Sequence, residues 1–171
     1  MSRRPHNECV TLCRLYELLS YDKDTGIFVW RKRIANKLAG TRAGYEDNIR
    51  GYRYINIDRK RYYEHRLAWF YVTGAWPPDE IDHEKGITND NRFEKLREAT
   101  SSNNKCNRRV KSSSSSGLKG VTQDKRRGTW EFGVYINGIS HRKSGFATAE
   151  EAHAAYLEMA QKLHGEFMLS R

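Results

Sequence analysis

Apolar residues recur along this chain in two rhythms, one helical and one alternating. Val10, Leu15, Leu18 and Leu19 repeat at near-helical spacing, which predicts an amphipathic helix over residues 9–20. Asp22-Lys23-Asp24-Thr25-Gly26 reads as a turn. Its spacing resembles the start of a calcium loop, but the bidentate Glu that closes an EF-hand loop is absent, which favours the tight turn. Strands are expected at Gly26–Arg31, Tyr52–Asp58 and Arg61–Glu64, the last two joined through Asp58-Arg59-Lys60. Leu67, Ala68, Phe70, Tyr71 and Val72 predict a helix over His65–Thr73, closed by Gly74 ahead of Pro77-Pro78.

A strand–loop–strand–helix unit follows. Glu80–His83 and Lys95–Ala99 are the strands, the loop between them is polar, and Thr100 is placed to cap a helix over 101–108. The run Lys111-Ser112-Ser113-Ser114-Ser115-Ser116-Gly117 has the composition of a flexible linker. Beyond it, three strands are expected at about 118–123, 129–136 and 139–146, with turns at Arg127-Gly128 and Asn137-Gly138. A helix over Thr148–His164 opens on Thr148-Ala149-Glu150-Glu151, buries Ala152, Ala155, Tyr156, Met159 and Leu163, and stops at Gly165. The expected class is α+β in two modules. Residues 1–108 form the first, with its core at about 80–108; 109–117 form the linker; 118–171 form a three-stranded antiparallel sheet covered by one helix.

The chain of 171 residues has room for one ordinary domain or two small ones. No run of 18 apolar residues exists, and Met1–Glu8 lacks the apolar core of a signal peptide, so a cytoplasmic protein without membrane contact is expected. Net charge is +10, and its distribution matters more than its size. Ten Lys and Arg between Lys105 and Lys143 face only Asp124 and Glu131, and eleven between Arg31 and Arg66 face four acids. Two basic blocks interleaved with Tyr and Trp suit a polyanion, with double-stranded DNA as the expected partner. Cys9, Cys13 and Cys106 are too sparse for a disulfide framework, and Cys9 and Cys13 read as ordinary residues of a short helix.

The candidate chemistry lies in Ile81-Asp82-His83 and the Asn/Asp-rich loop after it. Adjacent strand residues point to opposite sides, so Asp82 and His83 divide the work. Asp82 and the distal Asn104 offer oxygen to one hard cation, Mg²⁺ or Mn²⁺. His83, nearly neutral at pH 7, can take a proton from water. A cation there neutralises charge on a scissile phosphate and on the leaving 3′-oxygen.

The segment from His65-Arg66-Leu67-Ala68-Trp69 through Ile81-Asp82-His83, Asp90-Asn91-Arg92, Leu96-Arg97-Glu98-Ala99-Thr100 and Asn103-Asn104 closely resembles the HNH homing endonucleases of phages and mobile introns. That resemblance implies a ββα-metal finger, His83 as general base and Asp82 with Asn104 as metal ligands. These enzymes usually carry Asn where this chain has Lys95; the resemblance gives that Asn the task of bracing the loop and orienting the histidine, and lysine has no acceptor with which to do so. Lys95 could instead bind a phosphate or set a cation near His83. His65 also recurs in the resemblance, and a structural histidine packed beside the site is favoured there over a direct role.

Ser116–Val121, Trp130-Glu131-Phe132, Asn137-Gly138, Gly145–Ala152 and His164-Gly165-Glu166-Phe167 closely resemble the plant ethylene-response-factor (Apetala-type) DNA-binding domain. That resemblance implies a sheet lying in the major groove, with Arg126, Arg127, Trp130, Tyr135, Arg142 and Lys143 as DNA-contacting candidates. Alternation sends Phe132 and Val134 toward the helix and Glu131, Gly133 and Tyr135 away from it. Trp130 fits the inward set by parity, so core and DNA contact compete there. The expectation is a site-specific, metal-dependent DNA endonuclease of homing type that leaves 5′-phosphate and 3′-hydroxyl ends. One site per chain cuts one strand, so a monomer nicks, and a double-strand break requires a dimer or two binding events. The alternative is a DNA-binding or accessory protein of the same ancestry, catalytically impaired at Lys95. An RNA-directed protein is disfavoured, because the major groove of A-form RNA is too narrow for such a sheet.

Overall fold

The first helix ends between Leu18 and Leu19, adjacent residues that are both buried. The computed structural model describes residues 10–106 and 116–165. Helix α1 (Leu12–Leu18) starts on Thr11, whose hydroxyl accepts from the Arg14 amide at 3.2 Å. It gives way directly to β1 (Leu19–Asp22), so the helix is shorter than the periodicity predicts. Strand β1 pairs antiparallel with β2 (Ile27–Trp30) across the Asp22–Gly26 turn, where Asp22 Oδ1 accepts from Asp24 N at 2.9 Å. A second sheet holds β3 (Tyr45–Glu46), β4 (Arg53–Ile57) and β5 (Lys60–Tyr63) in sequence order. Asp58 and Arg59, with φ of 48° and 66°, make the tight turn between β4 and β5.

Helix α2 (Glu64–Thr73) ends on Gly74 in the left-handed conformation, as expected. Strand β6 (Glu80–His83) pairs with β7 (Leu96–Ala99), and one 3₁₀ turn at Phe93–Lys95 precedes β7. One core gathers Leu15, Leu18, Leu19, Phe28, Ile55, Ile57 and Leu67, and Ile81 and Leu96 join it from β6 and β7. Burying a side chain of this size stabilises by about 1.5–3 kcal/mol, so β6 and β7 are anchored by their apolar members while the polar ones remain for chemistry.

Two compact units make up the chain, divided between Glu98 and Ala99. Helix α3 (Ser101–Cys106) is grouped with the second, capped by Thr100 Oγ1 accepting from Asn103 N at 3.2 Å. Within that unit Ser102 Oγ accepts from Asn137 N at 3.2 Å, and Asn103 Oδ1 lies 3.4 Å from His164 Nδ1. Residues 107–108 of the expected helix, most of the serine run and Phe167 lie outside the described residues.

The second unit is an antiparallel sheet of β8 (Val121–Asp124), β9 (Thr129–Ile136) and β10 (Ile139–Phe146), ordered β10-β9-β8, with α4 (Ala149–His164) on one face. Asn137 and Gly138 have the positive φ values, 48° and 87°, that an Asn-Gly hairpin turn requires. The register shifts between Ser144 and Phe146 at Gly145, φ 95°, and this bulge returns Phe146 to the inner face against Phe132. Thr148 caps α4 by accepting from Glu151 N at 3.1 Å, while the Glu151 carboxylate accepts from Ala147 N at 3.1 Å. Among the described residues no helix is long and apolar enough to cross a membrane.

Candidate functional site

Strand β6 alternates as expected, yet Ile81, Asp82 and His83 are all buried, so both polar side chains need partners. Asp82 finds Arg97 on the paired strand: Nε and Nη2 of the guanidinium both donate to Asp82 Oδ2, at 3.0 and 2.9 Å. His83 finds Asn91, whose Oδ1 lies 3.1 Å from His83 Nε2. A carbonyl oxygen only accepts, so Nε2 carries the imidazole proton and Nδ1 is left as the basic nitrogen. Burial pushes the His83 pKa below its usual 6.5, against the opposing pull of Asn91, Asp82 and Asp90.

Aromatic rings enclose this base. His65, buried on α2, meets the His83 ring edge-on with centroids 5.0 Å apart, and Tyr52 packs on both at 5.4 and 6.0 Å. Burial holds the His65 pKa well below the ordinary value, with His83 adding to the effect. His65 is thus a neutral packing partner beside the site, as the sequence suggests.

The loop from Glu84 to Arg92 is fastened to the N-terminal elements at several points. Thr88 Oγ1 donates to Arg50 O at 3.2 Å, Asn89 Nδ2 to Glu46 Oε1 at 3.3 Å, and Tyr21 OH to Asn91 O at 2.7 Å. Just beyond, Phe93 N donates to Lys23 O at 3.0 Å. Gly26 lies so close that a Cβ there would sit 2.5 Å from the Asn91 carbonyl carbon. The Asp22–Gly26 turn therefore clamps the backbone that carries Asn91. Asn91 itself is 2% exposed, an unusual depth for a loop amide.

Lys95 is held beside two acids. Its Nζ lies 3.2 Å from Glu94 and 4.0 Å from Glu84, while its backbone carbonyl accepts from Glu84 N at 2.9 Å. Asn91, not position 95, supplies the amide on the histidine. Asn104 sits half-buried on α3, with its N–H on Thr100 O at 2.9 Å.

The donors suit a hard cation in kind. Asp82 offers a buried carboxylate and Asn104 an amide oxygen. Among the described residues no three His, Cys, Asp or Glu side chains converge.

In the second unit the open face of the sheet carries Glu131, Gly133 and Tyr135 from β9, opposite Ser144, Arg142 and Ser140 of β10. Tyr135 is 58% exposed. Arg142 lies over the gap at Gly133, with Nε on Ser140 Oγ at 3.2 Å and Nη1 3.9 Å from Glu131. Arg126 and Arg127 are exposed in the β8–β9 turn, their amides on Asp124 Oδ1 at 3.0 and 3.3 Å. Two candidates point elsewhere. Trp130 packs on the core cluster of Val121, Ala149 and Ala152, so the inward parity prevails. Lys143 pairs with inward-facing Phe132, and its Nζ lies 5.6 Å from the Phe146 ring centroid.

Neither the curated proteins nor the solved structures include a match to this chain. Residues 62–106, which run from β5 through the His83–Asn91 pair to α3, match the HNH endonuclease family model.

Proposed function

We propose that this chain is a divalent-metal-dependent DNA endonuclease of homing type, in which the HNH segment cleaves and the C-terminal sheet holds double-stranded DNA. The observation that carries this reading is the buried His83–Asn91 hydrogen bond at 3.1 Å, which assigns the proton to Nε2 and the basic lone pair to Nδ1. Burial keeps the ring neutral near pH 7. Nδ1 takes a proton from the water that attacks phosphorus; the bond to the 3′-oxygen breaks and that oxygen takes a proton from solvent, leaving a 5′-phosphate and a 3′-hydroxyl. Asp82, steadied by Arg97, and Asn104 are the residues that would hold Mg²⁺ or Mn²⁺. The cation, when bound, supplies charge neutralisation at the phosphate and the leaving oxygen. General-base assistance is worth roughly 10²–10⁴-fold.

Arg126, Arg127, Tyr135 and Arg142 are the side chains with which the open sheet would meet DNA, and one site per chain predicts nicking by a monomer. Supercoiled plasmid incubated with Mg²⁺ or Mn²⁺, and with EDTA, tests the proposal. Metal-dependent open circles that vanish in His83→Ala support it. Cutting only by Lys95→Asn would mean that this chain is a silenced DNA binder. No cutting by any version, on DNA that the protein retains, would refute the nuclease reading.

A further inference from the structure

Glu64 is fully buried at the start of α2, next to His65, and the chemistry above leaves it without a task. Arg53 Nε donates to its Oε2 at 2.8 Å. Its other oxygen, Oε1, is buried and has no close partner, and the same holds for Asn91 Nδ2. One is an acceptor and the other a donor. The Asn91 amide also favours the ionised carboxylate, as Arg53 and Arg42 do, against the burial that raises its pKa. The amino end of Asn91 is thus the donor available to Glu64, and its oxygen end faces His83.

We infer that Glu64 is a positioning residue of this site, selecting the orientation of the Asn91 amide and, through it, the protonated nitrogen of His83. The inference rests on the reading of His83 as the base. An amide can flip, and the two orientations hand opposite instructions to the imidazole. With Nδ2 toward Glu64, Oδ1 accepts from Nε2–H at 3.1 Å and Nδ1 is basic. In the flipped state Oδ1 would confront a carboxylate oxygen, acceptor against acceptor, and Nδ2 would force the proton onto Nδ1. A buried carboxylate, unable to donate while ionised, excludes that state. Arg53 Nε, 2.8 Å from Oε2, favours the ionised carboxylate against the burial that raises its pKa, so the chain of command runs from Arg53 through Glu64 and Asn91 to His83. An amide orienting the base is thereby supplied from position 91, in a chain that has lysine at 95.

The test is Glu64→Gln, which preserves size and shape. The oxygen of the new amide stays on Arg53 and its NH₂ turns to Asn91, which must flip. Long-range ¹H–¹⁵N spectra of the full chain, recorded without metal or DNA, report the His83 tautomer directly. The expected result is a change from Nε2–H to Nδ1–H, with kcat for nicking reduced roughly a hundredfold or more, KM within about twofold, and a wild-type backbone amide spectrum. Adding Asn91→Asp to Glu64→Gln restores a fixed acceptor for His83 and a partner for the new NH₂, so Nε2–H and most of the activity return. A merely structural role would not be rescued by this exchange. His83 remaining Nε2–H in Glu64→Gln, or failing to return to it in the double variant, overturns the inference. If the tautomers move as expected but the wild type nicks no plasmid, the relay stands and the nuclease reading falls.

Discussion

Gly26→Ala separates the geometry of the Asn91 loop from its chemistry, because Gly26 touches the backbone of that loop and no reacting group. Its φ is 73°, a region in which a Cβ costs about 1–2 kcal/mol. The added Cβ would also sit 2.5 Å from the Asn91 carbonyl carbon. Carbon atoms pack at about 3.5–4.0 Å, so turn and loop must part by about 1 Å. Both neighbours are backbone, and the loop is tied back by Tyr21 and Lys23, so the strain cannot escape into a flexible side chain. A displacement of that size in a positioning element can lower a rate by roughly 10²-fold. The expected outcome is a variant that remains folded, melts several degrees lower, and nicks plasmid with kcat reduced by roughly 100-fold. Circular dichroism melting and single-turnover nicking measure the two effects. Lost stability together with a rate within about twofold of wild type would refute the clamp.

Three further outcomes follow. Burial lowers the His83 pKa, and a base must be unprotonated to act, so the acid limb of kcat/KM should lie below pH 6.5; a limb above pH 7 would contradict the environment of this ring. For His65, folded protein refuses a proton that the unfolded chain accepts with a pKa near 6.5, so stability falls as pH drops through that value. Stability should therefore fall between pH 7.5 and 5.5, and His65→Phe should flatten that dependence in urea unfolding measured at the two pH values; an unchanged dependence would contradict the burial of this ring. In the second unit, Arg142→Ala should lower the salt dependence of DNA binding by about one counterion, and Lys143→Ala, on the helix-side parity, should change it less; equal effects would contradict the register.

What could be read in the sequence was local. Asn137-Gly138, the alternation through Phe132 and Val134, and the Thr148 cap each act within a few residues, and β9, β10 and α4 fall where they point. Leu18 and Leu19 misled because one apolar run served a helix and then a strand. The site was half legible. Asp82, His83 and Asn104 stand out by type and spacing, whereas the pairings that give them orientation join residues from different elements. Arg97 reaches Asp82 from β7, which lies beside β6, and Asn91 reaches His83 from a loop packed against the β1–β2 turn. Position 95 drew attention because the resemblance has an amide there; the amide on the histidine is supplied from four residues earlier, and no pattern of residue types announces that.

Among the described residues the order β10-β9-β8 puts β10 at an edge of the sheet, with Ile139 61% exposed. The Gly145 bulge and the cations Arg142 and Lys143 are the devices by which such an edge resists pairing with a copy of itself. The positive charge at this edge therefore also protects colloidal stability. Removing it to probe DNA contact removes that protection too. Glutamine, which keeps the bulk and hydrogen-bonding capacity of the strand, is a better replacement there than leucine, and light scattering belongs beside every binding curve.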